Sequence, residues 1–467
     1  MQNGGLDYDF IGAFTDGGLA IAYKDGKRGL INARGEEILP CKYDDLAKCG
    51  QIFILKNSGK YGIFSNFSEA GATIATCEFD ELLNDDANGA AEEFCAKKGG
   101  KWGVVDKNGA AITPFKFDEI SEVAPDFIVA KKDEKWGIAN KRAQTLTAFE
   151  YDGASRVRCG KNLFKVCKDG KYALVGINGE VKLPQGYYID YFWEGFAAVQ
   201  EGGSRRPEKG GKWGYVNSLG ELAILCEYDE AEWFHDGLAK VGKDGREFFI
   251  DQKGKIAFYC EFDETQDFGS GLAAARDGKK WGFLDKNGKI AIHFLYDEVG
   301  DAWFLGKFCR ARIGEKWGVI DKNGVLVIPF KFDAVDCPNE NGYAVVQNGG
   351  KYGFADKNGE IVPCEYDFLQ DDKDALIAQK GEKYGLISTS GKTLAPLAYD
   401  DIENFSGGLA LAENDGKIGF LDAGGGIAVA FEYDGASEFN GGFAPVQKDG
   451  RWFVIDKNGE ILAPKAF

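Results

Sequence analysis

Chemistry needs particular side chains in the right company, and this sequence is short of several of them. Its only histidines are His235 and His293, set far apart. Eleven cysteines are present, but none forms a CxxC pair, and metal ligation by thiolate or imidazole needs paired ligands at short spacing. Five of the cysteines, Cys41, Cys77, Cys226, Cys260 and Cys364, share one setting, three residues before the Asp of a [YF]-D pair. In other copies of that setting the slot holds Phe115, Phe149, Phe294, Phe330, Leu397 or Phe431, so it reads as an apolar packing position. The Asp of [YF]-D recurs at 44, 80, 118, 152, 229, 263, 297, 333, 367, 400 and 434. A carboxylate at a strand end accepts hydrogen bonds from the backbone N–H groups that follow it, which predicts an Asx-type turn.

DKNG recurs at 106–109, 285–288, 321–324, 356–359 and 456–459. Asp and Asn oxygens suit Ca²⁺, but the EF-hand spacing with its distant Glu is missing, as is the GGxGxD repeat. The motif reads as a hairpin turn in which Asn and Gly tolerate positive φ. There is also no P-loop, no GxSxG elbow and no GxGxxG opening a helix. The residues assign no catalytic, cofactor-binding or metal-binding role, and the expectation is a protein that is not an enzyme and uses no cofactor.

The elements that would position any site come from a repeat. KWGVIDKNGVLVIPFKFD (316–333) matches KWGVVDKNGAAITPFKFD (101–118) at 13 of 18 positions. Anchored on the step [KR]-aromatic-Gly, the unit is found thirteen times, at Arg28, Tyr61, Trp102, Trp136, Tyr172, Trp213, Glu247, Trp281, Trp317, Tyr352, Tyr384, Ile418 and Trp452. Residues 1–467 therefore read as one continuous array without a linker. Each unit holds three short apolar runs rich in β-branched and aromatic residues and bounded by Gly, Asn or Asp, as in GLAAARDG (271–278), KWGFLD (280–285) and KIAIHFLYD (289–297). In the first run Leu272 and Ala273 alternate between faces; in the second, Trp281 and Phe283 share one face.

The fold class predicted is all-β, with about thirteen three-stranded antiparallel meanders stacked as an open, curved β-solenoid or superhelix. The alternative is one or two β-propellers, which usually have four to eight blades of four strands. Openness is favoured because the chain starts on a GLA strand (Gly18, Leu19, Ala20) and ends on a third strand, ILAPKAF, leaving no strand to close a ring. The recurring K-W-G-x-x-D-K-N-G-x-x-x-x-P-x-x-[YF]-D pattern resembles the WG-repeat family of bacterial β-rich repeat proteins. That resemblance covers nearly the whole chain and implies an architecture; it implies no shared catalytic residues. Arg28, Glu247 and Ile418 depart from the aromatic of the pattern, and Ala173, Phe248 and Phe453 from its Gly.

The formal charge is −18, from 74 acidic and 56 basic residues, a field that repels phosphate backbones and anionic lipid surfaces. No nucleic acid and no membrane insertion are expected, since no apolar run reaches 18 residues. Unpaired cysteine spacing and the lack of a signal-peptide pattern at the start suit a cytoplasmic, monomeric protein. The candidate partner contacts are Trp193, Trp233 and Trp303, in the connections after [YF]-D, and Arg205 and Arg206, in the inserted loop EGGSRRPEKGGK (201–212). The expected function is a non-catalytic scaffold that binds a protein or peptide through a long acidic surface. A glycan or cell-wall binding module using repeated aromatics is the alternative.

Overall fold

The computed structural model describes residues 5–50, 52–65, 73–74, 76–83, 92–160, 162–203, 206–300, 307–372 and 375–462. Among these the structure is all-β without a helix, and the strands form twelve antiparallel sheets. Unit nine shows how the repeated sentence folds. Phe308–Ile313 and Lys316–Asp321 pair as a tight hairpin, Leu326–Phe332 adds the third strand, and Glu298–Val299 pairs on the other side. The connection is thus itself a short strand. Ten sheets are four-stranded, one is three-stranded, and one of seven strands joins units five and six through the long strand Val181–Ile189. The expected three-stranded meander is corrected on this point, because the residues after [YF]-D satisfy their backbone groups against the GLA strand.

The two turns of the unit differ in cause. In DKNG, the Asp321 Oδ1 accepts the N–H groups of Asn323 and Val325 at 2.8 Å each, and Gly324 alone takes positive φ (75°). Asn323 is held by its backbone N–H and does not enter the left-handed region. The Gly of the WG step has another reason. Trp317 pairs Phe332 and Val319 pairs Ile328, so the third strand bulges over Gly318. A Cβ there would stand 2.6 Å from the Ile328 carbonyl oxygen and 2.8 Å from the Phe330 ring. The slot shared by Cys and Phe is therefore the residue packed on the bare glycine, as Cys41 lies over Gly29 and Cys364 over Gly353. Where Phe248 replaces the Gly, Phe248 and Phe249 pair Tyr259 and Phe258 one to one, with no bulge opposite Phe248.

Faces stack on faces. Leu272, Ala274 and Phe283, with Trp281 at the edge, pack on Cys309, Ala311 and Ile320 of unit nine, while Ala273 turns the other way onto Phe249 of unit seven. Thirteen apolar clusters are found among the described residues, and each draws on two units. Twelve lie between sequence neighbours. The thirteenth combines Ile11, Ala20, Ala22 and Ile31 of the first unit with Trp452 and Val454 of the last. Leu6 and Trp452 exchange backbone hydrogen bonds (2.7 and 3.3 Å), and Ser437 Oγ donates to the Ile11 carbonyl (3.1 Å). The GLA strand of the first unit is preceded by a short strand, Phe10–Ile11, that pairs with it. Tyr8-Asp9 is one more copy of [YF]-D: Asp9 accepts the Asp25 N–H at 2.7 Å, as Asp44 accepts that of Ser58.

The [YF]-D carboxylate clips one unit to the next. Asp333 pairs with Lys316 of its own unit at 2.6 Å, and its other oxygen accepts the Gly349 N–H, in the next unit's turn, at 2.7 Å. The same double contact recurs at Asp44, Asp80, Asp229, Asp297, Asp367, Asp400 and Asp434. The donors lie a whole strand away, so this is not the local Asx turn predicted. Hydrogen bonding to lysine, and then to the backbone, holds the Asp333 carboxyl below its ordinary value. These pairs are largely exposed and screened by solvent, so each alone contributes little to stability.

Gly318→Ala is expected to cost about 1–3 kcal/mol, because its Cβ meets backbone that cannot step aside; a chemical-denaturation midpoint measures it. The ladder also sets a pH dependence. Carboxyls depressed in the folded state contribute stability that is present above the unfolded Asp value of about 3.9 and is lost as pH falls through the lower folded value. Asn at Asp297, Asp333, Asp367 and Asp400 together should lower the melting temperature at neutral pH and flatten its decline in acid. An unchanged pH profile would show the ladder to be inert.

Candidate functional site

The connections of units six and seven carry the exposed aromatics. Each turns through two residues of positive φ, Glu194-Gly195 and Asp236-Gly237, the conformation of a tight hairpin of the kind that twisted strands favour. Just before these turns stand Tyr191, Phe192 and Trp193 in one unit, and Trp233, Phe234 and His235 at the matching positions of the next. Phe234 is 1% exposed and fills the anchoring slot that Phe268 and Phe439 fill elsewhere. The tryptophans occupy the flanking positions instead, which turn outward. Trp193 is 48% exposed, Trp233 41% and Tyr191 75%.

These side chains meet across the unit boundary. The Tyr191 and Trp233 rings are 6.5 Å apart and nearly perpendicular, and Trp193 lies 6.1 Å from the His235 ring. Trp233 Nε1 donates to Asp190 Oδ2 at 3.1 Å. Glu194 accepts the N–H groups of Asp236 and Gly237 at 2.7 and 2.8 Å, and Asp236 accepts that of Gly271 in unit eight. The result is an aromatic surface edged by carboxylates whose positions are fixed by backbone donors.

Below it sits a charged group. Glu232 and Lys240 pair at 3.1 Å, Lys240 also donates to the Thr265 carbonyl, and the buried His235 places Nε2 3.6 Å from Asp267. Burial pushes the Glu232 carboxyl up, with Lys240 opposing and Asp267 adding to the rise. For Lys240 burial acts downward, but the Glu232 carboxylate overrides it and leaves the ammonium raised.

The other proposed contacts do not join this surface. Arg206 is exposed in the inserted loop, whose base is closed by the buried Gln200 donating to the Gly211 carbonyl at 3.0 Å. The strand Phe196–Glu201 separates that loop from Trp193, a span of about 20 Å. Arg205 and Trp303 lie outside the described residues. The anchor aromatics are covered: Arg276 lies 5.8 Å over Trp281, Arg312 5.9 Å over Trp317 and Lys97 5.6 Å over Trp102. None of the eleven cysteines is in a disulfide. Burial pushes the Cys260 thiol up to about 11, and burial followed by Glu360 pushes that of Cys364 to about 12, so neither is a nucleophile at neutral pH.

The profile of the WG containing repeat matches at 6–27, 29–61, 102–136, 136–172, 213–246, 248–281, 281–317, 317–352, 384–417 and 418–452. The chain belongs to the WG-repeat family. No curated protein matches it. Among solved structures, a eukaryotic initiation factor is similar at 11% identity over 65% of this chain and 92% of its own, with a TM-score of 0.30. PorZ, a surface component of the Porphyromonas gingivalis type-IX secretion system, is 10% identical over 96% of this chain and 85% of its own, with a TM-score of 0.21. Kluyveromyces lactis Hsv2 is 8% identical over 68% and 96%, with a TM-score of 0.20.

Within this WG-repeat chain, reading by residue type missed Tyr191, Lys165 and Lys240, and it set His235 aside without seeing that it lies beside Trp193. The two lysines carry a legible signal, a charge in mid-strand where other units place Ile21, Ile54, Val129 or Ala274. Trp193→Ala and Trp233→Ala should change unfolding free energy by less than about 1 kcal/mol, whereas Phe234→Ala should cost about 3–5 kcal/mol. Denaturant melts of the three variants compare the outward positions with the anchor.

Proposed function

We propose that this WG-repeat chain is a non-catalytic binding scaffold, closed as a ring of thirteen units, that takes a protein or peptide partner with basic side chains. The observation that carries the partner class is the Tyr191, Trp193 and Trp233 surface edged by Asp190, Glu194 and Asp236. Aromatic faces attract Lys and Arg through their quadrupole, each contact contributing about 0.5–2 kcal/mol, and the −18 field draws a basic partner toward them. Thirteen apolar clusters support closure, since an open row of thirteen units has only twelve interfaces. Thirteen blades exceed the usual number for a propeller, and a ring of that size is wide. The unlinked cysteines, including exposed Cys159 and Cys337, favour a reducing, cytoplasmic setting.

A glycan is the second reading, favoured by one feature: exposed aromatics in two successive units. Titration of intrinsic fluorescence with a lysine- and arginine-rich peptide, its acidic counterpart and a chito-oligosaccharide separates the two. Binding of the basic peptide is expected, lost steeply with salt and weakened about tenfold in the Trp193→Ala/Trp233→Ala variant. Sugar binding with the same dependence on tryptophan, without peptide binding, would overturn the partner class. For closure, small-angle scattering should give a largest dimension of roughly 60–70 Å, against roughly 130 Å for an open stack at about 10 Å per sheet.

A further inference from the structure

Beside the aromatic surface, between units five and six, lies a depression of about 720 Å³, a size that suits a small organic ligand. On this acidic protein its lining includes three cations, Arg156, Arg158 and Lys165, and two carboxylates, Asp152 and Asp190. Both carboxylates are already engaged. Asp152 pairs with Lys135 at 2.6 Å and accepts the Asp169 N–H at 2.8 Å, and Asp190 accepts Trp233 Nε1 and the Tyr191 N–H. The cations are less satisfied. Arg156 reaches Glu122 only at 3.4 Å, and its buried Nε has no hydrogen-bond partner. Arg158 is exposed, without an ion pair among the described residues. Lys165 is half-buried, donates to the Ile189 carbonyl and stands 4.4 Å over the Tyr172 ring.

The chain contains its own control for Lys165. Lys240 occupies the same strand position two units later and donates to the matching carbonyl, that of Thr265. The residue opposite Lys240 on the connection is Glu232, which neutralises it at 3.1 Å. Opposite Lys165 stands Ser155. Unit five thus keeps the cation, omits the carboxylate, and opens a cavity on that side.

We propose that this depression binds a small organic oxyanion, a carboxylate or phosphate on a planar body, with the anion taking at Lys165 the place that the Glu232 carboxylate holds at Lys240. Arg158, exposed in the lining, supplies a further donor, whereas the Arg156 side chain turns to unit four, over Phe127 and toward Glu122. Tyr172 and the exposed Tyr191, both in the lining, offer faces for the planar body. Burial holds the Lys165 ammonium below its ordinary value, a strain that a bound anion relieves. The site shares Tyr191 and Asp190 with the proposed peptide surface, but its anion contacts are Lys165 and Arg158, which that surface does not use, so one can exist without the other.

The test is thermal melting of the full chain with adenosine 5′-monophosphate, with 4-hydroxybenzoate, and with adenosine as a neutral control, each up to about 10 mM, which detects affinities down to the millimolar range. One or both anions should raise the melting temperature while adenosine does not, and the responding anion tells phosphate from carboxylate. Ser155→Glu restores the missing partner; this variant should melt at or above the unmodified protein and lose the response by more than tenfold. Arg158→Ala, an exposed change that should spare folding, should weaken the response about tenfold. No shift with either anion overturns the proposal, as does a shift of equal size in Ser155→Glu and Arg158→Ala.

Discussion

A small sheet that is apolar on both faces cannot stand in water by itself, since an isolated hairpin or meander leaves at least one such face wet. Every unit of this chain has that problem, and every unit meets it by lying against its neighbours. Phe283 on one face and Ala273 on the other are buried only because units nine and seven are there. The other features serve this stacking. The WG glycine lets the third strand bulge close over the second, which sets the thickness of each sheet. The [YF]-D carboxylate ties each sheet to the turn of the next.

A stack of this kind has ends, and ends leave apolar faces uncovered. Solenoids meet the difficulty with polar caps. Here residues of the first and last units are in contact, through Trp452, Ile11 and the Leu6 pairing. That contact removes the exposed sheet edge of the last unit over the residues it pairs, which is the edge most prone to unwanted association.

Once each unit is occupied with holding its neighbours, specificity has to come from places where copies differ. Units five to seven are such a place. Tyr191, Trp193 and Trp233 flank an anchor position without filling it, and Ser155 stands where a carboxylate would otherwise close a cation's shell. None of these changes disturbs the stacking residues, which is why the scaffold tolerates them.

The repeat, its antiparallel strands, the DKNG turns and the alternation of large and small faces were legible from the sequence, because each depends on residues within one unit. Cys41 and Phe330 could be recognised as fillers of one slot by exchange alone, and the slot's meaning, a side chain lying over a bare glycine, needed coordinates. The fourth strand escaped notice because it is short and is defined by its partner. Whether Trp233 faces inward or outward was hidden, since Trp233 and Phe234 are adjacent and only the neighbouring unit's packing chooses between them. The meeting of first and last units was hidden for a related reason. It joins residues more than four hundred positions apart, a pairing that no single unit encodes.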